Sequence, residues 1–257
     1  MGQVPQEIRG RNGGLIMELD ILFHDEHLVA IHKPAGLLVH QTNLDKEENL
    51  DAMRMLRDQI GQWVYPIHRL DKPTSGVLLF ALSPEMAANM VDQFTHRQVE
   101  KEYLAVVRGY TQEEENIDYP LSPMWDKRTG KRKREAKPPQ EAITYYRRIA
   151  TTELPYPVGR YESVRYSLLW IQPKTGRSRQ IRRHMKHIFH PILGDKKHGD
   201  HRQNDFLQSF MGHLRLLLHA HKLAFLHPVK ETTIKLEASL SPEFKDILTK
   251  LKLTGPL

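Results

Sequence analysis

The sequence predicts an α+β fold. Three observations carry that prediction: apolar runs of strand length recur along the chain, helical patterns fall between some of them but not others, and neither regular βαβ alternation nor an internal repeat orders them. At 257 residues with 8% aromatics, the chain is long enough to bury a substantial core and has too many aromatics for a disordered one.

Residues 1–17 carry four glycines and no apolar periodicity, so a flexible tail is expected there, with one folded domain over 18–257. The runs 19–23 and 28–31, separated by His24, Asp25, Glu26 and His27, read as strand, turn, strand. Lys33-Pro34-Ala35-Gly36 then forces a turn, and Met53, Leu56 and Ile60 recur at helical spacing before Gly61, which predicts a helix over 48–60. Pro66 and Pro73 punctuate a loop that leads into the continuous apolar run 77–82, a buried strand. Ser83-Pro84 is a helix start, an N-cap followed by proline at the first helical position, and Met86, Met90, Val91 and Phe94 give that helix its apolar face. Alternation over 101–107 predicts a strand. Composition shifts over 111–139, where Glu113-Glu114-Glu115 precedes the basic run 127–137, and a protruding insertion is expected. Further strands are expected at 142–149, 165–171, 216–225 and 233–238, with helices at 178–190 and 242–251.

The chain has 38 Lys+Arg against 31 Asp+Glu, a net charge of +7, and no cysteine. Disulfide frameworks, thiol nucleophiles and cysteine-bound metals are thereby excluded, and the absence of both an apolar leader and a spanning run predicts a cytoplasmic protein. The positive surplus points to an anionic partner. It is equally a common solubility device.

Two constellations carry chemistry. His68-Arg69-Leu70-Asp71-Lys72-Pro73-Thr74-Ser75-Gly76 leads straight into the buried strand, where a loop can hold catalytic groups; read locally, Asp71 could equally just open a turn before Pro73. Residues 174–186 carry Lys174, Arg177, Arg179, Arg182, Arg183 and Lys186 and no acidic residue. If Ser178 caps a helix there, three arginines crowd its positive end at a cost of ~0.3–1 kcal/mol each, so phosphates or a carboxylate should compensate. The alternative is a solvated basic face. His219 and His221 would share one face of a strand, yet no HExxH string and no acidic partner at ligand spacing accompanies them, so no metal is expected. Neither GxGxxG nor GxxxxGK[ST] occurs, and no nucleotide cofactor is expected.

HRLDKPTSG at 68–76 resembles the motif of the RluA family of pseudouridine synthases, and further pieces follow in that family's order: KPAGLLVH at 33–40, KEYLAVVRG at 101–109, KTGRSRQIRRH at 174–184, LGDKKHG at 193–199 and LHAHKLAFLHP at 218–228. The resemblance implies the family's fold, a mixed and mostly antiparallel central sheet flanked by helices and loops around a catalytic cleft. It implies isomerisation of uridine in structured RNA without cofactor or metal. Asp71 would be the catalytic aspartate, Tyr103 the aromatic that stacks on the target base, and Arg182 the arginine that pairs with the aspartate; an arginine beside a carboxylate favours its ionised form. Arg177, Arg179, Arg183 and Lys186, with Lys174, would remain for substrate phosphates, and His68 and Arg69 would contact the substrate beside the extruded base. HRLDKPTSGVLLFALS and LGDKKHGDHRQN resemble the family's tRNA-modifying branch, which implies tRNA as partner, uridine 65 of the T-stem as target, and a monomer without a separate N-terminal RNA-binding domain. His32 and Arg179 depart from the commoner family spelling, Asn before Lys-Pro and His before Gln-Ile-Arg.

Overall fold

The structure, a computed structural model, describes residues 7–9, 15–40, 50–124, 138–253 and 255, the first two short strands by backbone alone. The chain forms two compact units: Met1–Val99 with Leu223–Ala238, and Glu100–Lys222 with Ser239–Leu257. Within the segment expected to be a tail, β1 (Glu7–Arg9) and β2 (Leu15–Met17) pair antiparallel.

In the N-terminal unit, β3 (Asp20–His24), β4 (Leu28–Lys33) and β6 (Ser75–Ala81) form successive antiparallel pairs, and the two-residue β5 (Tyr65–Pro66) joins β6. β11 (Leu218–Leu226), whose second half belongs to this unit, lies next to β6 and pairs with β12 (Thr233–Glu237). Every residue of β6 is buried, as its unbroken apolar run predicts for a central strand. Val77, Leu79 and Ala81 pack with Met86 and Met90 of α2 (Pro84–Thr95) and with Leu236 of β12. Ser83 caps α2 by accepting the Met86 amide at 3.1 Å, as expected. α1 (Ala52–Ile60) starts later than its periodicity suggested, because Asp51 supplies the cap by accepting the Arg54 amide at 2.9 Å; Gly61, at φ +67°, ends it.

In the second unit, β7 (Glu100–Arg108) pairs with β10 (Val164–Pro173), β10 with β9 (Ile143–Leu154) and β9 with β8 (Glu114–Asp118), all antiparallel. The alternation in β7 serves two cores. Leu104 and Val106 join a cluster with Leu207 and Met211 of α4 (His201–Met211) and Phe244, Ile247 and Leu248 of α5 (Pro242–Lys250). Ala105 and Val107 join the other, with Ile181 and Met185 of α3 (Gln180–His187).

Three expectations are corrected here. The first part of the supposed insertion is the edge strand β8, with Ile117 buried and the acidic side chains engaged: Tyr145 donates its hydroxyl to Glu114 at 2.6 Å and Tyr146 to Glu115 at 2.8 Å. Charged side chains suit a sheet edge, where they oppose pairing with another chain. The basic run 127–137 lies outside the described residues. Ser178 caps no helix; α3 begins two residues later, with Arg179 as N-cap at φ +53°. Finally, α4 went unrecognised although Asp200 caps it and Gly212 ends it, because Phe206, Leu207, Phe210 and Met211 give only a short apolar stripe.

The turns of the N-terminal unit are latched by charge. His227, buried, bonds Asp25 through Nε2 at 3.1 Å and accepts the Val229 and Lys230 amides at Nδ1, while Lys230 donates to Asp25 at 2.6 Å. Burial pushes the Asp25 carboxyl up, but hydrogen bonds from the Lys230 ammonium and the His27 and Leu28 amides outweigh it and hold it at about 2. A carboxyl depressed on folding stabilises fully above its ordinary value of 3.8, and that contribution is lost as pH falls toward about 2. With its side chain 12% exposed, Asp25 should contribute about 2 kcal/mol. In urea denaturation across pH, wild type should lose stability more steeply than Asp25→Asn below about pH 4, and the two curves should converge in strong acid.

Candidate active site

Asp71 sits on the loop between β5 and β6, flanked by buried Leu70 and Thr74, while its own side chain is partly exposed. The Thr74 amide donates to the Asp71 carbonyl at 3.0 Å, closing a tight turn. The loop is tied from outside. The fully buried Lys33 donates its ammonium to the carbonyls of Pro34 and Leu37, both at 2.8 Å, and of Lys72 at 3.1 Å. The Gly36 amide also donates to Lys72 O, at 2.9 Å, from a backbone at φ +87° that favours glycine. KPAG and HRLDKPTSG are therefore two halves of one support, joined at the residue after Asp71.

His68 is turned toward that scaffold. Its Nε2 accepts the Leu79 amide at 3.0 Å, just beyond the point where the short β5 ends, and its ring stacks on Phe94 of α2 with centroids 4.8 Å apart. These contacts let His68 help position the loop. Arg69 is exposed.

Tyr103 and Arg182 lie in the second unit. Tyr103, on β7 opposite Ile171 of β10, is half-buried against the cluster of Ile171, Ile181 and Met185. The loop before α3 is organised by Gln180, whose Oε1 accepts from Thr175 Oγ1 at 2.7 Å and the Arg177 amide at 2.9 Å. Its Nε2 donates to Ile143 O at 2.9 Å and Thr144 Oγ1 at 3.0 Å.

The carboxylate demanded by the arginine-rich helix start is Asp195. Arg182 donates from Nε and Nη2 to its two oxygens, both at 2.7 Å, with side chains 5% and 1% exposed. Burial pushes the Asp195 carboxyl up, but the Arg182 hydrogen bonds and charge and the Lys197 and His198 amides outweigh it and hold it below its ordinary value. Sequence reasoning had assigned Arg182 to Asp71 alone and missed Asp195. The available signal was its place in LGDKKHG, a motif given no task. Its turn is tightly built: a Cβ on Gly194 would stand 1.8 Å from Arg215 O, and one on Gly199 2.0 Å from Asp195 O.

Among the other cations, Arg177 donates to Glu141 O and Arg183 to Ser122 O, each at 2.9 Å, and Lys174 bonds Gln172. Arg179 is half-buried and Lys186 exposed. His184 is buried between Thr144 Oγ1 and Tyr119 O, and burial holds its imidazole below the ordinary value. His219 and His221 are both buried on β11, and among the described residues no group of three or more histidines and carboxylates could hold a metal ion.

A family profile described as RNA pseudouridylate synthase matches residues 27–187. The chain belongs to the RNA pseudouridylate synthase family. Similar relatives are tRNA pseudouridine synthase C of Haemophilus ducreyi, 55% identical over 89% of this chain and 94% of the relative, and that of Haemophilus influenzae, 53% identical over 90% and 96%. Among solved structures, human RNA pseudouridylate synthase domain containing 4 superposes with a TM-score of 0.67 at 28% identity, covering 91% of this chain and 93% of that one. The α+β pseudouridine synthase fold expected from the sequence is the fold found.

Asp195→Ala removes the bidentate partner of a buried guanidinium and should cost about 3–5 kcal/mol in urea denaturation. Adding Arg182→Met should recover part of that loss, because the buried charge is then gone as well.

Proposed function

We propose that this chain converts uridine 65 in the T-stem of tRNA to pseudouridine, with Asp71 as nucleophile or base, acting as a monomer in the cytoplasm without a metal or nucleotide cofactor. The observation that carries the reading is the aspartate of HRLDKPTSG, presented on a loop anchored by a buried strand and the Lys33 ammonium, in a chain that aligns with nearly the full length of relatives named tRNA pseudouridine synthase.

The reaction breaks N1–C1′, turns the detached uracil, and joins C5 to C1′; the proton leaves C5 and N1 gains one, so atoms and electrons balance without redox or net hydrolysis. Hydrolytic glycosidases use two carboxylates because water must be activated and the leaving group protonated. Uracil's carbonyls delocalise the departing charge, and one carboxylate suffices. Asp71 would attack C1′ or take the C2′ proton. Tyr103 would present its ring to the extruded base, which leaves its stem at a cost of a few kcal/mol, and Arg182, held by Asp195, would face the reacting centre. Arg69, Lys174, Arg177, Arg179, Arg183 and Lys186 would contact the RNA. Stem RNA is read through its shape, phosphates and 2′-hydroxyls more than its base edges.

Tritium release from a tRNA transcript labelled at uracil C5 tests the chemistry. Asp71→Asn should reduce release by at least about 10³-fold while leaving RNA binding within roughly threefold, and EDTA should leave wild-type turnover unchanged. Pseudouridine mapping in cells with and without the protein tests the target: loss at a ribosomal site with tRNA intact would reject it.

A further inference from the structure

A second cleft lies in the same unit as Asp71. It encloses about 320 Å³ and is lined by His40, Asp51, Arg54, Arg57, Trp63 and Pro66. Trp63 is 66% exposed, and the Arg57 guanidinium stands 5.0 Å from its ring centroid. Arg57 also bonds Asp58, through Nε at 3.0 Å and Nη2 at 2.8 Å, which holds the fork at the rim of the cleft.

The cleft is built onto the support of the Asp71 loop. The Ala52 amide donates to Leu38 O at 2.8 Å and the Met53 amide to Val39 O at 3.0 Å, fixing the start of α1 against the residues that precede His40. One residue earlier, Leu37 O shares the Lys33 ammonium with Lys72 O. A ligand held between α1 and His40 therefore rests on the same backbone support as the Asp71 loop.

We propose that this cleft binds one unstacked nucleotide of the RNA substrate, separate from the uridine being isomerised. The inference rests on the RNA-modifying reading above and extends it to a second subsite. A flat, exposed indole takes a base of any identity by stacking, and arginines at its rim suit the adjoining phosphate. The volume falls at the lower end of the roughly 300–1,000 Å³ of small-ligand sites, the size of a single nucleotide rather than a longer segment. The physical demand exists as well: extruding a base from a stem unstacks its neighbours, and stacking one of them on protein offsets part of that cost.

The test uses the full chain and a tRNA transcript labelled with tritium at uracil C5. Trp63→Ala should raise KM and the RNA Kd roughly tenfold while kcat at saturating RNA changes less than about twofold, Trp63→Phe should restore most of the loss, and Arg57→Ala should also raise KM. With Trp125 and Trp170 replaced by Phe, Trp63 is the sole remaining tryptophan of three, and its fluorescence should be quenched by the transcript in step with binding, also when Asp71→Asn is present. Unchanged Kd and KM in Trp63→Ala, or an unquenched Trp63 at saturating RNA in a chain that turns over normally, would overturn the subsite alone. Quenching without any tritium release would sink the isomerase reading and leave the subsite standing. Failure of the wild type to bind the transcript would remove both.

Discussion

The ammonium of Lys33 is the interaction on which the N-terminal unit's site depends. Removing a lysine from water costs several kcal/mol, and here its three donors are met by the carbonyls of Pro34, Leu37 and Lys72. These carbonyls belong to segments far apart in sequence. Without the charge between them, three acceptors would lose a shared donor, and the loop carrying Asp71 would lose one of its ties to the turn at Gly36, whose own amide provides another. The placement of the Asp71 loop is thus set in part by a residue outside it. His68 adds a second tie from β6 and α2 through the Leu79 amide and the Phe94 ring.

The second unit also buries a cation, and meets it with a carboxylate instead of carbonyls. Arg182 is the third residue of α3, at the helix end where the macrodipole disfavours a cation. Asp195 offsets that penalty at both oxygens while also accepting two amides from its own turn, so the carboxylate is well supplied with donors and stays ionised. No side chain caps α3; Gln180 instead ties down the loop before it by accepting the Arg177 amide. A guanidinium held this way is fixed in plane and direction, which a flexible surface arginine is not.

Local signals made most of the fold legible. Ser83-Pro84 named the start of α2 because cap and proline act within one turn, and the run ending in Ala81 named a central strand because burial on both faces leaves no alternation. What failed was set by partners distant in sequence. Glu114 and Glu115 look like a solvated acidic run until Tyr145 and Tyr146 on β9 donate to them, and Ser178 looks like a cap until Gln180 folds the preceding loop onto Ile143 and Thr144. In the site, Asp71 was visible through its motif. Asp195 was not, because a carboxylate thirteen residues beyond its arginine leaves no periodic trace. The exposure of Trp63 was not legible either, because exposure is a property of packing, not of spelling.

The charge surplus takes on a different meaning once its partners are known. Of the six cations in 174–186, Arg182 is engaged by a buried carboxylate and Lys174, Arg177 and Arg183 bond acceptors on the protein itself, so the count alone overstates how many wait for phosphate. Yet an arginine carries five donors, and a single bond to a carbonyl uses one while fixing the fork. Arg177 and Arg183 are in that state, anchored through Nε and Nη2 respectively. Anchoring removes in advance the side-chain entropy that phosphate binding would otherwise cost, so two oriented guanidinium groups can bind a backbone more tightly than a larger number of mobile lysines. Position and preorganisation, more than a net charge of +7, are what would let a basic loop and helix grip one RNA shape and not every polyanion.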